Sequence, residues 1–88
     1  MNDNLQRVIT ALTSLEIKER NLESRRRKTY RDCGKIIHAE RIARGLSLTE
    51  VARRCGFHKS FMHCIETGKR GWTLALSKKV IDGLEGKK

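Results

Sequence analysis

The sequence predicts an all-α protein in which a small domain of about four helices follows an amphipathic N-terminal helix. Its 88 residues include no proline and few runs of β-branched or aromatic residues that would suit strands. Apolar residues instead recur at spacings of three and four, which places them along one face of a helix. A chain of this length has room for one domain and a short extension, so its core must be compact.

Charge divides the chain into two parts. Lys and Arg number 20 against 10 Asp and Glu, which gives a formal net charge of +10. Residues 1–24 carry three basic and four acidic side chains, whereas residues 25–88 carry 17 basic and six acidic ones. The whole positive excess therefore belongs to the second part, and it favours a polyanionic partner over a small neutral substrate.

The sequence motifs do not favour an enzyme, a metal site or a membrane segment. The spacings among Cys55, His58, His63 and Cys64 do not match zinc fingers or ribbons, and Cys33 stands apart from them. No glycine-rich phosphate loop is present. No apolar run reaches the roughly 20 residues that span a bilayer, and the N-terminus lacks the layout of a signal peptide. We expect a non-enzymatic cytoplasmic protein without metal or cofactor.

The first segment is predicted to be one helix from Asp3 to Lys28, with Asn2 or Asp3 as its cap. Its apolar face consists of residues spaced by three and four: Leu5, Val8, Leu12, Leu15 and Leu22. Such a face either docks onto the chain's own domain or pairs with a second copy of the chain. We favour pairing because the domain behind it is small, so residues 1–30 are predicted to be a dimerisation element.

Glycines and a capping sequence mark helix boundaries in the middle of the chain. Gly45 supplies the left-handed stop of one helix, and Ser47 with Glu50 forms an S-x-x-E capping box. The capping box begins a short helix over Leu48–Cys55, and Gly56 then provides a tight turn. The sequence therefore predicts a short helix that ends in a sharp reversal of the chain.

A second short helix is predicted from His58 to Thr67, with Met62 and Ile65 facing inward. Two short helices joined by a glycine-containing turn, with the small Ala52 where they cross, form a helix-turn-helix. A last helix is indicated by the cap Thr73 and the apolar residues Leu74, Leu76, Val80, Ile81 and Leu84. Residues 31–88 are therefore predicted to be a helix-turn-helix domain.

One set of residues in this region occurs at fixed spacings: Gly45, Leu46, Ser47, Glu50, Val51, Ala52, Gly56, Met62, Ile65, Glu66, Gly68, Lys69 and Arg70. In this combination they resemble the Cro/lambda-repressor-like (XRE-type) helix-turn-helix family. The resemblance implies an α-helical domain whose second motif helix enters the major groove of DNA. It also implies a structural pair of Arg41 and Glu66 that ties the preceding helix to the motif.

Helix geometry then separates two groups of residues that would contact DNA. The outward side of the second motif helix is expected to read base edges with His58, Lys59, Ser60, His63 and Cys64. A flanking set is expected to hold phosphates: Arg26, Arg27, Lys28, Leu48, Arg53, Arg54, Lys69 and Arg70. Leu48 stands where family members often carry glutamine, so only its backbone N–H is expected to contribute. Phe61 either packs or touches a thymine methyl, with packing favoured, and Trp72 is predicted to lie in the core.

These expectations together predict a sequence-specific transcriptional repressor. Because one reading helix makes few base contacts, we expect a homodimer on a palindromic operator, with reading helices about 34 Å apart. The dimer would block transcription by occupying a promoter, including its own, and would be nucleoid-associated when bound. The resemblance suggests a phage or plasmid regulator. The alternative is an antitoxin-type regulator whose N-terminal helix binds a partner protein.

Overall fold

Five α-helices make up the part of the chain that the computed structural model describes, which is residues 2–17, 23–71 and 73–86, with side chains for 2–14, 26–71 and 73–86. In chain order they are α1 (Asp3–Ile17), α2 (Glu23–Ala43), α3 (Leu48–Cys55), α4 (Lys59–Thr67) and α5 (Leu74–Glu85). Those ranges contain no strand, and none of their helices is both long and apolar enough to cross a bilayer. The predicted all-α fold class is confirmed.

The helices α1 and α2 pack side by side. The Asn2 side chain donates to the Glu40 carboxylate near the end of α2, and Asn4 donates to the same group at 3.2 Å. These hydrogen bonds, the one from Asn2 first, together with one from Arg44, hold the pKa of Glu40 below its usual value. The start of α1 thus lies beside the end of α2, so the two helices run antiparallel. The prediction of one helix from Asp3 to Lys28 is wrong.

The apolar face of α1 belongs to the core of its own chain. Leu5, Val8 and Leu12 are 0%, 0% and 1% exposed. They share one core cluster with buried residues of the other four helices: Cys33, Ile37, Val51, Ala52, Met62, Ile65, Val80, Ile81 and Leu84. Docking within one chain removes these groups from water without the entropic cost of association. The prediction that these three residues pair between chains is wrong for this fold.

The dimerisation prediction also included Leu15 and Leu22 and placed a domain boundary at residue 30. The side chains of Leu15 and Leu22 lie outside the described residues. The boundary drawn at residue 30 falls inside α2, and the core cluster includes residues from both sides of it. The helices therefore form one packed unit across that boundary.

Local capping chemistry sets the ends of the shorter helices. The Ser47 hydroxyl accepts from the Glu50 N–H at 3.0 Å, and Gly56 ends α3 with a left-handed φ of 74°. Thr73 caps α5 in the same way as Ser47 caps α3. His58 is the N-cap of α4, so this helix begins one residue later than predicted. The predicted bounds of α3 are confirmed.

The crossing of α2 over α4 positions the rest of the motif. A Cβ atom added to Gly34 would lie 2.5 Å from the carbonyl oxygen of Glu66 and 2.6 Å from that of Ile65. Both oxygens belong to the backbone of α4, so any side chain at position 34 would push the helices apart. The missing side chain therefore lets α2 lie directly on α4.

We expect Gly34→Ala to lower the free energy of unfolding by about 1–3 kcal/mol, because the added methyl group overpacks the crossing. Helix propensity alone predicts that Gly34→Ala raises the free energy of unfolding, since alanine is better than glycine in a helix by roughly 0.5–1 kcal/mol. Urea unfolding followed by circular dichroism separates the two effects. A variant as stable as the parent protein would contradict the close approach.

Candidate nucleic-acid interface

Helix α4 has one buried side and one exposed polar side. Met62 and Ile65 are fully buried, as predicted. Lys59, His63 and Thr67 are exposed and spaced by four residues, so they form one stripe along the helix. An α-helix with its side chains is about 10–12 Å across, and the major groove of B-DNA is about 12 Å wide. The stripe can therefore be presented to base edges within that groove.

The other residues predicted to read bases flank this stripe. Ser60 is exposed in the first turn of α4, next to Lys59. His58 is exposed at the N-cap and makes no side-chain capping hydrogen bond, which leaves its ring available to a ligand. Cys64 is half-buried beside His63. The structure thus brings four of the five residues to the exposed surface, and Cys64 lies at its edge.

An aromatic pair fixes one basic residue beside the start of α4. The rings of Phe57 and Phe61 meet edge to face, with centroids 5.0 Å apart and planes at 81°. The Arg70 guanidinium carbon lies 5.2 Å from the Phe61 ring centroid, within the range of a cation–π contact. Phe61 therefore packs against the domain and also holds Arg70 near the first turn of α4. Trp72 lies outside the described residues.

The two arginines of α3 have different surroundings. Arg53 is exposed, and its guanidinium forms an ion pair with Glu50 at 2.7 Å. This hydrogen bond is the largest cause that lowers the pKa of Glu50. Arg54 donates to the Gly83 carbonyl at 3.2 Å and so joins α3 to the end of α5. Arg53 can contact phosphate at the surface, whereas Arg54 already has a structural contact that the sequence did not indicate.

Other basic residues gather near the end of α4. A Cβ added to Gly68 would lie 2.5 Å from Arg31 Cγ, so the early turns of α2 adjoin the turn that follows α4. Lys69 is exposed in this turn. Lys28 is exposed one turn before Arg31 and pairs with Asp32 at 2.9 Å. The same exposed turns of α2 also contain the predicted phosphate-binding residues Arg26 and Arg27.

A buried ion pair joins α2 to α4. Arg41 donates to Glu66 through Nε at 2.7 Å and through Nη2 at 3.1 Å, and the two side chains are only 10% and 5% exposed. Arg41 also donates to the Leu46 carbonyl, before α3, at 3.0 Å. His38 Nδ1 lies 2.8 Å from Glu66 Oε1 and adds a third contact to the carboxylate. The structure thus brings Arg41 and Glu66 together and adds His38.

A cleft of about 460 Å³ opens beside this ion pair, between α2, the start of α3 and α4. Its lining consists of Lys35, His38, Arg41, Leu48, His63, Glu66 and Thr67. Sequence reasoning identified four of these residues for DNA contact or as the structural pair. It missed Lys35, His38 and Thr67. The helical spacing from Lys35 through His38 to Arg41 was the available signal, because residues three apart share a helix face.

The cysteine and histidine side chains of the described ranges are not clustered in the way that metal ligands are. No set of three or more Cys, His, Asp or Glu residues there is arranged to hold a metal ion. Burial raises the pKa of the Cys33 thiol to about 11 and that of the Cys55 thiol to about 11. Because the thiolate is the nucleophilic form, these two residues are poor nucleophiles near neutral pH.

We expect Arg41→Met to lower the free energy of unfolding by about 3–5 kcal/mol, because it leaves the Glu66 carboxylate buried without its main partner. The double variant Arg41→Met/Glu66→Leu should recover most of this loss, because no unpaired charge remains. Arg53→Met is the matched control, since it removes a guanidinium from an exposed ion pair and should leave stability nearly unchanged. Equal losses for Arg41→Met and Arg53→Met in urea unfolding would show that the buried pair is not structural.

Comparison with known proteins places this geometry in a family. A family model described as a helix-turn-helix domain matches residues 20–82, which include α2, α3, α4, most of α5 and the whole lining of the cleft. No curated protein and no solved structure was found to match the chain. The matched residues make up well over half of the sequence and contain both motif helices, and the resemblance inferred from the sequence is confirmed. The chain belongs to the helix-turn-helix domain family of DNA-binding proteins.

Proposed function

We propose that this chain is a sequence-specific transcriptional repressor that reads double-stranded DNA with α4. The observation that carries the proposal is the exposed stripe Lys59–His63–Thr67 on a helix whose other side is fully buried. The whole chain carries a formal net charge of +10, which suits a polyanionic ligand. The protein would act by binding, without catalysis.

Each contact to DNA follows from side-chain chemistry and position. Lys59 can donate to guanine O6 and N7, Ser60 can donate or accept, and His63 can donate to a base acceptor. Lys69 and Arg70 follow the reading helix and would bind backbone phosphates whatever the DNA sequence. Arg53 and the basic residues of the first turns of α2 would extend this grip. The reading helix thus supplies specificity, and its flanks supply most of the affinity.

The small number of base contacts that one reading helix can make supports a homodimer on a palindromic operator. One helix of nine residues offers few base contacts, whereas specific regulators need affinities of about 10⁻⁸–10⁻¹¹ M. Two chains related by a two-fold axis double the contacts and place their reading helices about 34 Å apart, one turn of DNA. Such a dimer would block transcription by covering a promoter, and small repressors commonly control their own. The dimer contact uses none of Leu5, Val8 and Leu12, which are buried within the chain.

The alternative function is an antitoxin-type regulator whose N-terminal helix binds a partner protein. That function requires an apolar face on α1 that is free to be covered. The three apolar residues of this face with described side chains are instead completely or almost completely buried against the other helices. The repressor is therefore the better supported function.

We expect Lys59→Ala and Arg70→Ala to weaken DNA binding in different ways. Footprinting on the DNA that flanks its own gene supplies the operator, and a random duplex of equal length is the comparison. Lys59→Ala should cost about 1–3 kcal/mol on the operator and little on random DNA, because it removes a base contact. Arg70→Ala should weaken both alike and reduce the slope of log K against log salt by about 0.9. Lack of duplex binding by the wild type at low salt would refute the function, and equal losses on both DNAs for Lys59→Ala would refute the assignment of base reading.

We expect two chains to bind each palindromic operator. Analytical ultracentrifugation of the protein with the intact operator should give a complex of two chains, because two reading helices are needed for specific affinity. A duplex that contains one half-site is the control and should bind one chain much more weakly. One chain on the intact operator at saturation, with the same affinity as on the half-site, would overturn the dimer.

A further inference from the structure

We propose that the cleft between α2, α3 and α4 binds one phosphate of the DNA backbone, and that Lys35 and His38 are the residues of α2 that hold it. The inference rests on the proposed DNA binding and deepens it by assigning a second helix to the interface. Neither residue was predicted from the sequence to touch DNA, and they do not belong to the base-reading stripe on α4.

The charges around the cleft favour an anion. Arg41 and Glu66 form the buried side, and their bidentate contact neutralises the charges of both. The exposed lining adds the ammonium group of Lys35 and the imidazoles of His38 and His63, with no second carboxylate. Leu48 lines the cleft at the first turn of α3, where backbone N–H groups are not used within the helix. A phosphate oxygen would meet donors from all three helices.

His38 is oriented by the buried pair. His38 Nδ1 lies 2.8 Å from Glu66 Oε1 and 3.2 Å from Arg41 Nη2, and a proton on Nδ1 is donated to the carboxylate oxygen. This contact fixes the ring at the mouth of the cleft, where the side chain is half-exposed. No described contact uses the second ring nitrogen, Nε2, which lies across the ring from Nδ1. When Nε2 carries a proton, it can donate a hydrogen bond to a phosphate oxygen.

The position of the cleft matches the edge of the major groove. His63 and Thr67 belong both to the exposed stripe of α4 and to the lining of the cleft. Because a helix with its side chains nearly fills the width of the groove, residues on a neighbouring element meet the phosphates at the groove edge. Lys35 and His38 lie on that neighbouring element, across the cleft from the stripe. When α4 faces the bases, these two residues therefore face one DNA strand.

The test compares Lys35→Gln with Lys78→Gln in the full chain. Lys78 is exposed on α5 and does not line the cleft, so the control removes the same charge elsewhere. Affinity for the operator and for a random duplex is measured from about 50 to 200 mM salt. Lys35→Gln should weaken both DNAs by the same factor and reduce the salt slope by about 0.9, the value for one phosphate contact. Lys78→Gln should leave the slope at the wild-type value.

A second variant tests whether His38 shares the same phosphate. His38→Gln should weaken both DNAs, and its effect should be smaller in the Lys35→Gln background, because the two residues act on one group. Circular dichroism confirms that each variant is folded under the binding conditions. Multiplicative effects of the two substitutions would show that His38 does not share the phosphate held by Lys35.

The outcomes separate this inference from the proposed function. Wild-type binding to duplex DNA with an unchanged salt slope in Lys35→Gln would overturn the phosphate site and leave the repressor proposal intact. Equal loss of slope in Lys35→Gln and Lys78→Gln would overturn the site as well, because it would reflect the overall charge of the protein. Failure of the wild type to bind any duplex would overturn both proposals.

Discussion

The ion pair of Arg41 and Glu66 is the contact on which the arrangement of the motif depends. Burying two charges carries a large desolvation cost, which is offset only when geometry and further hydrogen bonds are good. Here two N–H groups of Arg41 meet both oxygens of Glu66, and a third N–H reaches the Leu46 carbonyl. A shift of α4 along α2 by one helical turn would leave both charges buried without partners. The pair therefore permits one register between the two helices.

The second constraint is the small size of the domain. A chain of this length buries a limited fraction of its surface, so each apolar face must be used efficiently. Helix α1 contributes three fully or almost fully buried leucine and valine side chains to the cluster that also supports α3, α4 and α5. Asn2 and Asn4 fix its start to Glu40 of α2. The N-terminal helix thus completes the core beneath the motif, which explains why its apolar face is not on the surface.

Sequence reasoning succeeded where the determinants are local. Ser47, Glu50 and Gly56 act within a few residues of themselves, so their spacing was enough to place the start and end of α3. It failed for α1 because an amphipathic face looks the same whether its own chain or a second chain covers it. The segment between α1 and α2 contains no glycine or proline to mark the boundary. The role of Arg54 and the cleft at Lys35 depend on residues distant in sequence, which no local pattern reveals.

The environment of each basic residue determines whether its positive charge can contact DNA phosphates. The Arg53 side chain is 70% exposed in its pair with Glu50, and such exposed pairs contribute little to stability. Arg53 can therefore exchange this carboxylate for a phosphate with little loss. Arg41 cannot exchange its partner, because its release would leave Glu66 buried and charged. The salt dependence of DNA binding should thus reflect the exposed cations around α4 and the cleft, a smaller number than the net charge of +10 suggests.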